Sequence, residues 1–501
     1  MQVNQRKAGI LLNYLGEGVK IITALVYTPL MLRLLGQSEY GLYQLVYSTV
    51  SWLSVLSLGF GSSYVRYFSR FLVRKDDAGI AKLNGMFMVI FCAMAVICLL
   101  CGGVLYANAG AFFGENLTSA ELSKAKVLLA ISVFSMALTF PSSVFNCYVT
   151  AHEEFIFQKL LTLASGILNP FLTLPLLLMG YDSVAVVAVT ALLCVVSLVA
   201  NMLFCRGKLR MVFALKGMDF SLLREMWGFT FFIFLNQIID QVNWSVDKFL
   251  LGRMSGTAAV AVYGVGAQIN SLYLQTSTSI SCVYIPKINR IVAENDDNTQ
   301  LVDLMIKVGR VQYMVLALVL TGFLLFGQAF VRLWAGVEYA QSYWVAILLI
   351  SPTTIPLIQN VGIEIQRAKN KHCARSIVLA CISAGNILVS IYLIRLWGCV
   401  GAALGTAFAI TFGNTLFMNW YYHLKLGLDM VQFWREILRL LPSTAIACLV
   451  GRVIAKLFPI TSWGSLALMI ALYTMIYTVF VWLLGMNTQE KKQILQMLRK
   501  R

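Results

Sequence analysis

Two polar stripes of identical spacing interrupt long apolar runs: Asn13, Glu17 and Lys20 near the start of the chain, and Asn236, Asp240 and Asn243 near its middle. Offsets of i, i+4 and i+7 place each trio on one face of a helix. The chemistry open to such faces is ionic. An ammonium can meet an anion, and carboxylates drawn together away from water favour taking up H+ or Na+. At the centre of a bilayer each charge costs about 2.5–3.5 kcal/mol, so Glu17, Lys20 and Asp240 together represent about 8–10 kcal/mol unless something compensates them. The two stripes therefore point to a shared central cavity that holds water, partner charges or a ligand.

The elements that must carry these stripes follow from composition. Of 501 residues, 59% are hydrophobic and only 12% charged, against about a quarter charged in soluble proteins. Apolar runs of about 20 residues fall at 8–32, 41–62, 83–106, 125–148, 159–179, 183–204, 228–251, 258–283, 308–330, 341–361, 376–396, 398–420, 437–457 and 463–485. The chain is thus expected to be an all-α polytopic membrane protein of about 14 transmembrane helices. With a cytoplasmic N-terminus, 29 of the 39 basic residues lie on the inner side and 8 on the outer. That bias obeys the positive-inside rule, and one missed crossing would have abolished it. Both ends are then cytoplasmic.

The net charge of +17 is accordingly topological and lipid-facing, and nucleic acid is not an expected partner. No small-residue cleavage site follows the first run, which reads as an uncleaved signal anchor. The longest inward loop, about 20 residues, is too short to bury a core of its own. Eleven cysteines lie in or beside apolar runs without CxxC pairing, as small core residues do, so neither a metal nor a cofactor is expected.

A shift of 220 residues superposes Arg33 on Arg253, Gly36 on Gly256, Tyr43 on Tyr263 and Arg70 on Arg290. A further three-residue offset aligns Asn13 with Asn236 and Glu17 with Asp240. The reading is two parallel six-helix repeats around the central cavity plus two extra C-terminal helices: an N-terminal lobe over 1–210, a C-terminal lobe over 211–425, two further helices over 426–485 and a basic tail over 486–501. Six crossings per repeat relate the halves by an axis along the membrane normal. The tail begins with a capping-box pattern, Asn487-x-x-Glu490, then sets Ile494, Leu495 and Leu498 against a basic face; it either lies on the inner membrane surface or is plainly solvated.

From Gly9 to Arg70 the chain carries Leu34-Leu35-Gly36, Tyr40-Gly41-Leu42-Tyr43, a glycine turn at Gly59 to Gly61, and Arg66 and Arg70. That stretch resembles the start of bacterial polysaccharide-export flippases, the O-antigen flippase type. Their superfamily also holds the multidrug and toxic-compound extruders and the lipid II flippase. The resemblance implies movement of an undecaprenyl-diphosphate-linked oligosaccharide across the bacterial cytoplasmic membrane by rocking of two lobes. Polysaccharide polymerase and glycosyltransferases would be its working neighbours. The lipid II flippase typically places arginines in its first segment, whereas here no arginine precedes Arg33 within that segment. The extruders usually stop at twelve segments.

Lys20 is the leading candidate for the diphosphate, because an ammonium at cavity depth offsets an anion that could not otherwise cross hydrocarbon; the alternative is a structural pair with Glu17. Glu17, Asp240, Asp247, Asn13 and Asn236 are candidates for coupling to H+ or Na+. Lys248 could contact substrate or snorkel to the interface. Arg66, Arg70 and Arg310 could receive the headgroup or only anchor the inner interface. Tyr43, Gln44, Gln268 and Asn270 offer amides and aromatic faces to sugar hydroxyls, with helix-to-helix hydrogen bonding as the plainer role. Pro29, Pro141, Pro170 and Pro175 read as kinks or hinges, and Trp52, Trp334, Trp397 and Trp463 as interface belts.

A membrane-embedded polysaccharide-modifying enzyme is the competing class. Acyl transfer commonly needs a histidine base, yet His152, His372 and His423 sit in inner loops or segment ends without an evident nucleophile. No outward loop exceeds about 18 residues, too little for a polymerase to handle sugars. No catalytic residues are assigned.

Overall fold

The structure, a computed structural model, describes residues 5–499 apart from 115, 217–220, 295–296, 370 and 372; a further set of side chains, including those of Asn13, Asn236, Asp240, Ile494 and Leu498, also lies outside the described residues. Every regular element among them is helical. The first unit, Met1–Ala261, contains α1 (Gln5–Ser51), α2 (Phe60–Val73), α3 (Asp77–Ala107), α4 (Ser119–Ala151), α5 (Phe155–Leu178), α6 (Ser183–Gly207) and α7 (Ser221–Ser255). Helix α8 (Thr257–Ser281) begins at its edge. The second unit, Val262–Arg501, contains α9 (Ile285–Glu294), α10 (Asn298–Trp334), α11 (Ser342–Ile358), α12 (Asn360–Ala368), α13 (Cys373–Ile410), α14 (Met430–Leu438), α15 (Leu441–Leu457), α16 (Trp463–Phe480) and α17 (Thr488–Arg499).

Nine helical stretches among the described residues are long and apolar enough to cross a membrane, ten with the bent pair α11 and α12. Two of these stretches each hold two of the expected crossings. Helix α1 breaks at Gly36 (φ 75°, ψ 172°), and α13 breaks at Gly398 (φ 55°, ψ −129°). A positive φ is costly for any residue with a Cβ, so glycine is what lets one crossing fold back into the next with almost no loop. Helices α7 and α8 occupy the remaining two runs, and the fourteen predicted segments are thereby accounted for. Gly256, the 220-residue counterpart of Gly36, has a φ of 81°. Pro29 lies seven residues before the first break, inside regular helix, and Pro141, Pro170 and Pro175 are likewise within helices.

In the first unit α4 is the central post, packed against α3 on one side and α6 on the other, while α5 covers α1. Leu128, Leu129, Val144 and Phe145 of α4 are buried there. The opposite faces of the outer helices, such as Val96, Leu100 and Val104 of α3 and Phe171 of α5, expose large apolar side chains, as lipid contact requires. In the second unit α10 packs on α11, α15 and α16. Trp334 corrects one expectation: it is buried and stacks on Phe330 with centroids 5.5 Å apart rather than sitting at an interface.

The capping pattern of the tail forms. Glu490 accepts from the Asn487 backbone N–H at 2.8 Å as α17 starts, the reciprocal half of a capping box.

Candidate functional site

Helix α7 runs antiparallel to the second half of α1 and to α2, and the two strands of helix are joined along their length by side-chain hydrogen bonds. Ser63 meets Thr230 at 2.8 Å, Ser57 donates to Gln237 at 3.4 Å, and Ser51 meets Ser245 at 3.1 Å. Gln241 donates to both Ser51 and Ser245. Further along, the Lys248 ammonium donates to the Gln44 side-chain oxygen at 3.0 Å, and the Gln44 amide nitrogen donates to the Tyr40 hydroxyl at 2.8 Å. Ser38 closes the series on Thr257 at 3.1 Å. As one partner number rises the other falls, which is the signature of an antiparallel register.

Glycine sets how closely this seam can close. A Cβ on Gly41 would lie 1.9 Å from the Thr257 carbonyl oxygen, and one on Gly252 would lie 2.4 Å from Leu45. Backbone therefore touches backbone where α1 passes the α7–α8 turn. At the same end Glu121 collects hydroxyls from Ser38 (2.6 Å) and Thr257 (3.0 Å), and Asn116 donates to the Arg253 carbonyl at 2.6 Å. Nearby, Lys124 bridges Glu39 at 3.0 Å and Asp182 at 2.7 Å, while Ser183 donates to Glu39. Burial alone would raise the Asp182 carboxyl, but the Lys124 ammonium and the Val184 N–H hold it below the usual range.

Of the residues singled out from sequence, the seam brings Lys248, Gln44 and Tyr43 together on neighbouring turns. Tyr43 packs between Tyr40 and Tyr47 with the rings tilted, centroids 6.3 and 6.2 Å away. Asp247 is buried and Asn243 half-buried on the adjoining face of α7. Lys20 pairs with Glu17 at 2.9 Å on α1 and keeps 52% of its side chain exposed, so both of its readings, structural partner and accessible cation, describe the same side chain. Arg66 and Arg70 are exposed on α2. In the second unit Asn270 is wholly buried with neither amide atom in a hydrogen bond.

Arg310 is placed differently from the expectation of a headgroup receiver. It is 2% exposed, and all three guanidinium nitrogens are engaged: Nε and Nη2 with Glu490 at 2.7 and 2.9 Å, Nη1 with the Glu436 carbonyl at 2.7 Å, and Nη2 also with the Gly485 carbonyl at 2.9 Å. It ties α10 to α14, to the end of the α16 crossing and to α17.

Sequence reasoning passed over Gln237, Gln241 and Ser245, because the more strongly polar stripe one residue away drew attention. The signal was present: Gln237, Gln241, Ser245 and Lys248 recur at i, i+4, i+8 and i+11, one helix face. His152 packs on Phe68 and Tyr148 and contacts the Tyr148 carbonyl, His423 contacts the Leu428 carbonyl, and His372 lies outside the described residues. Among the described residues no group of histidine, cysteine and carboxylate side chains could hold a metal ion.

Residues 7–292 match the family described as polysaccharide biosynthesis protein. Over 494 residues the chain is 23% identical to the uncharacterized membrane protein EpsK of Bacillus subtilis strain 168, covering 94% of each. Its fold is similar to that of the lipid II flippase MurJ in an inward closed conformation, with a TM-score of 0.71 at 15% identity over 94% of this chain and 97% of that one. It is also similar to an inward-facing multidrug resistance MATE family transporter of the MOP superfamily, with a TM-score of 0.64 at 12% identity over 82% and 98%.

Proposed function

The chain belongs to the polysaccharide biosynthesis protein family, and from that premise we propose that it carries an undecaprenyl-diphosphate-linked oligosaccharide from the inner to the outer leaflet of the bacterial cytoplasmic membrane. The observation that carries this reading is Lys248, an ammonium drawn between two membrane helices and held there by a neutral amide. That neutral contact does not itself compensate the charge. A charge so placed favours an anion, and a diphosphate offers acceptor oxygens suited to strong charge-assisted bonds. Lys20, half-exposed beside Glu17, is the second cation on the route, and Arg66 and Arg70 on α2 would meet the headgroup first. Tyr43 and Gln44 supply an aromatic face and an amide to the adjoining sugar.

In the second unit an apolar cavity of about 370 Å³ between α8, α10, α11 and α16, walled by Leu272, Phe323, Phe326 and Phe330, suits a hydrocarbon chain. Glu17, Asp240 and Asp247, with Asn13 and Asn236, are the groups through which H+ or Na+ would drive the cycle. The two lobes read from the sequence, 1–210 and 211–425, would act as the rocking bodies of alternating access, the protein binding and moving its substrate without altering a covalent bond.

The test is deletion of the gene with quantification of polyprenyl-diphosphate-linked oligosaccharide and surface polymer. Accumulation of the lipid-linked sugar on the inner side, loss of surface polymer, and failure of Lys248→Met and Lys20→Ala to rescue would uphold the proposal. Unchanged surface polymer with new sensitivity to cationic drugs would replace it with the drug-extruder reading. Accumulation of lipid II would replace it with the lipid II reading.

A further inference from the structure

Inside the first unit, away from the seam, α1, α4, α5 and α6 line an open-sided cavity of about 590 Å³, within the range of about 300–1,000 Å³ usual for small-molecule sites. Ten of its fifteen lining residues carry a hydroxyl or an amide, and none carries a charge.

The direction of the hydroxyls decides what the cavity can hold. Thr139 donates to the Met136 carbonyl at 2.7 Å, Ser143 to the Thr139 carbonyl at 2.7 Å, and Thr190 to the Val186 carbonyl at 2.9 Å. The hydrogens of these three are spent on their own helices, so they offer an occupant oxygen lone pairs, whereas the Tyr27 hydroxyl, buried without a hydrogen-bond partner, still has its hydrogen to give. Asn169 donates to Thr190 at 3.2 Å, which leaves its carbonyl oxygen as an acceptor. The occupant must therefore donate hydrogen bonds to these oxygens and can accept one from Tyr27. The cavity suits a neutral occupant, because an ion here would have no counter-charge in the lining. Between the acceptors stand Leu138, Pro170, Leu193 and the Tyr27 ring, apolar faces against which C–H groups can lie. Donor-rich, uncharged, with apolar C–H faces: that is the chemistry of a glycan, through its hydroxyl and acetamido groups.

We propose that this cavity is a binding site for the uncharged sugars of the transported lipid, separate from the cationic site at Lys248. The assignment rests on the reading that the cargo bears a glycan. Binding of a free sugar tests it independently of transport.

Cys194 lines the cavity, with Ser135 donating to its sulfur at 3.2 Å, and serves as the reporter. The unmodified protein, in lipid nanodiscs free of sugar detergents, is treated with a water-soluble thiol reagent, and alkylation of the Cys194 peptide is followed by mass spectrometry. The probes are the neutral oligosaccharide released by mild acid from the host's lipid-linked pool, maltotriose, sodium chloride and inorganic pyrophosphate. The expected result is labelling that slows about threefold when the released oligosaccharide is present at twice its Kd, with no slowing by salt or pyrophosphate. Asn169→Leu and Thr190→Val should each remove that protection, and Lys248→Met should retain it. An unreactive Cys194, labelling indifferent to both sugars, or protection by sodium alone overturns the proposal. If Lys248→Met transports normally while the sugar still protects Cys194, the diphosphate assignment fails and this site stands.

Discussion

Arg310 and Glu490, 180 positions apart, form a two-point ion pair in which Nε and Nη2 reach the two carboxylate oxygens at 2.7 and 2.9 Å. With Arg310 buried and Glu490 one-fifth exposed, removing one partner strands a charge away from water. Arg310→Ala is expected to destabilise the protein by about 3 kcal/mol, read as a lower melting temperature in detergent. If Arg310→Ala melts like the parent yet abolishes transport, the residue works on substrate instead.

The same pair makes the tail sensitive to acid. Burial alone would raise the Glu490 carboxyl, but Arg310 and the Asn487 N–H bring it below the usual carboxylate value. A group whose folded pKa lies below its unfolded one stabilises the fold above the unfolded value, and that contribution is lost as pH falls through the folded one. Amide exchange of α17, corrected for intrinsic rate, should rise as pH falls below the ordinary carboxylate range. In Glu490→Gln it should be raised already at neutral pH and respond little to acid.

Lys248→Met should separate function from stability. The substitution removes a charge that is unfavourable to bury, so the melting temperature should not fall. A lost charge-assisted bond is worth about 1.5–3 kcal/mol, or a drop of about 10- to 150-fold in the initial flipping rate in liposomes. Lys248→Arg should recover part of it, and an unchanged rate for Lys248→Met would remove this residue from the site.

Gly41 and Gly18 make a matched pair. A Cβ at Gly41 would meet the Thr257 carbonyl at 1.9 Å, whereas one at Gly18 finds no atom within 4 Å. Gly41→Ala is expected to cost about 1–3 kcal/mol through overpacking, and Gly18→Ala to gain about 0.5–1 kcal/mol from helix propensity. Thermal melts of the two variants decide it, with equal shifts counting against a closed seam.

Ser51 and Ser245 approach within 3.1 Å. Cysteines at both positions should form a disulfide on mild oxidation. If α1 and α7 move against each other during the cycle, the bridged protein should stop flipping and recover on reduction. Undiminished flipping by fully bridged protein would show that this contact stays fixed.

The fold was legible because hydrophobic length and the placement of Lys and Arg are one-dimensional signals. The breaks were less so. Pro29 drew attention as a candidate hinge, yet the chain turns at Gly36, since a proline can be absorbed inside a membrane helix while a positive φ cannot be adopted cheaply without glycine. Charge also misdirected the reading of the site. Arg310 looked like a headgroup ligand because nothing local reveals that its partner lies 180 residues away. Lys248 and Gln44 were singled out separately, but that they touch depends on the register of two helices, which no single stretch encodes.

That register has room for slippage. Ser51 is reached by Gln241 and lies against Ser245, residues a little over one helical turn, about 5.4 Å, apart. Because serine and glutamine side chains both donate and accept, a shift of one helix past the other by a turn would hand the Ser51 hydroxyl from Ser245 to Gln241 without stranding it in hydrocarbon. That rung would then serve as a bearing with a discrete stop rather than as a weld.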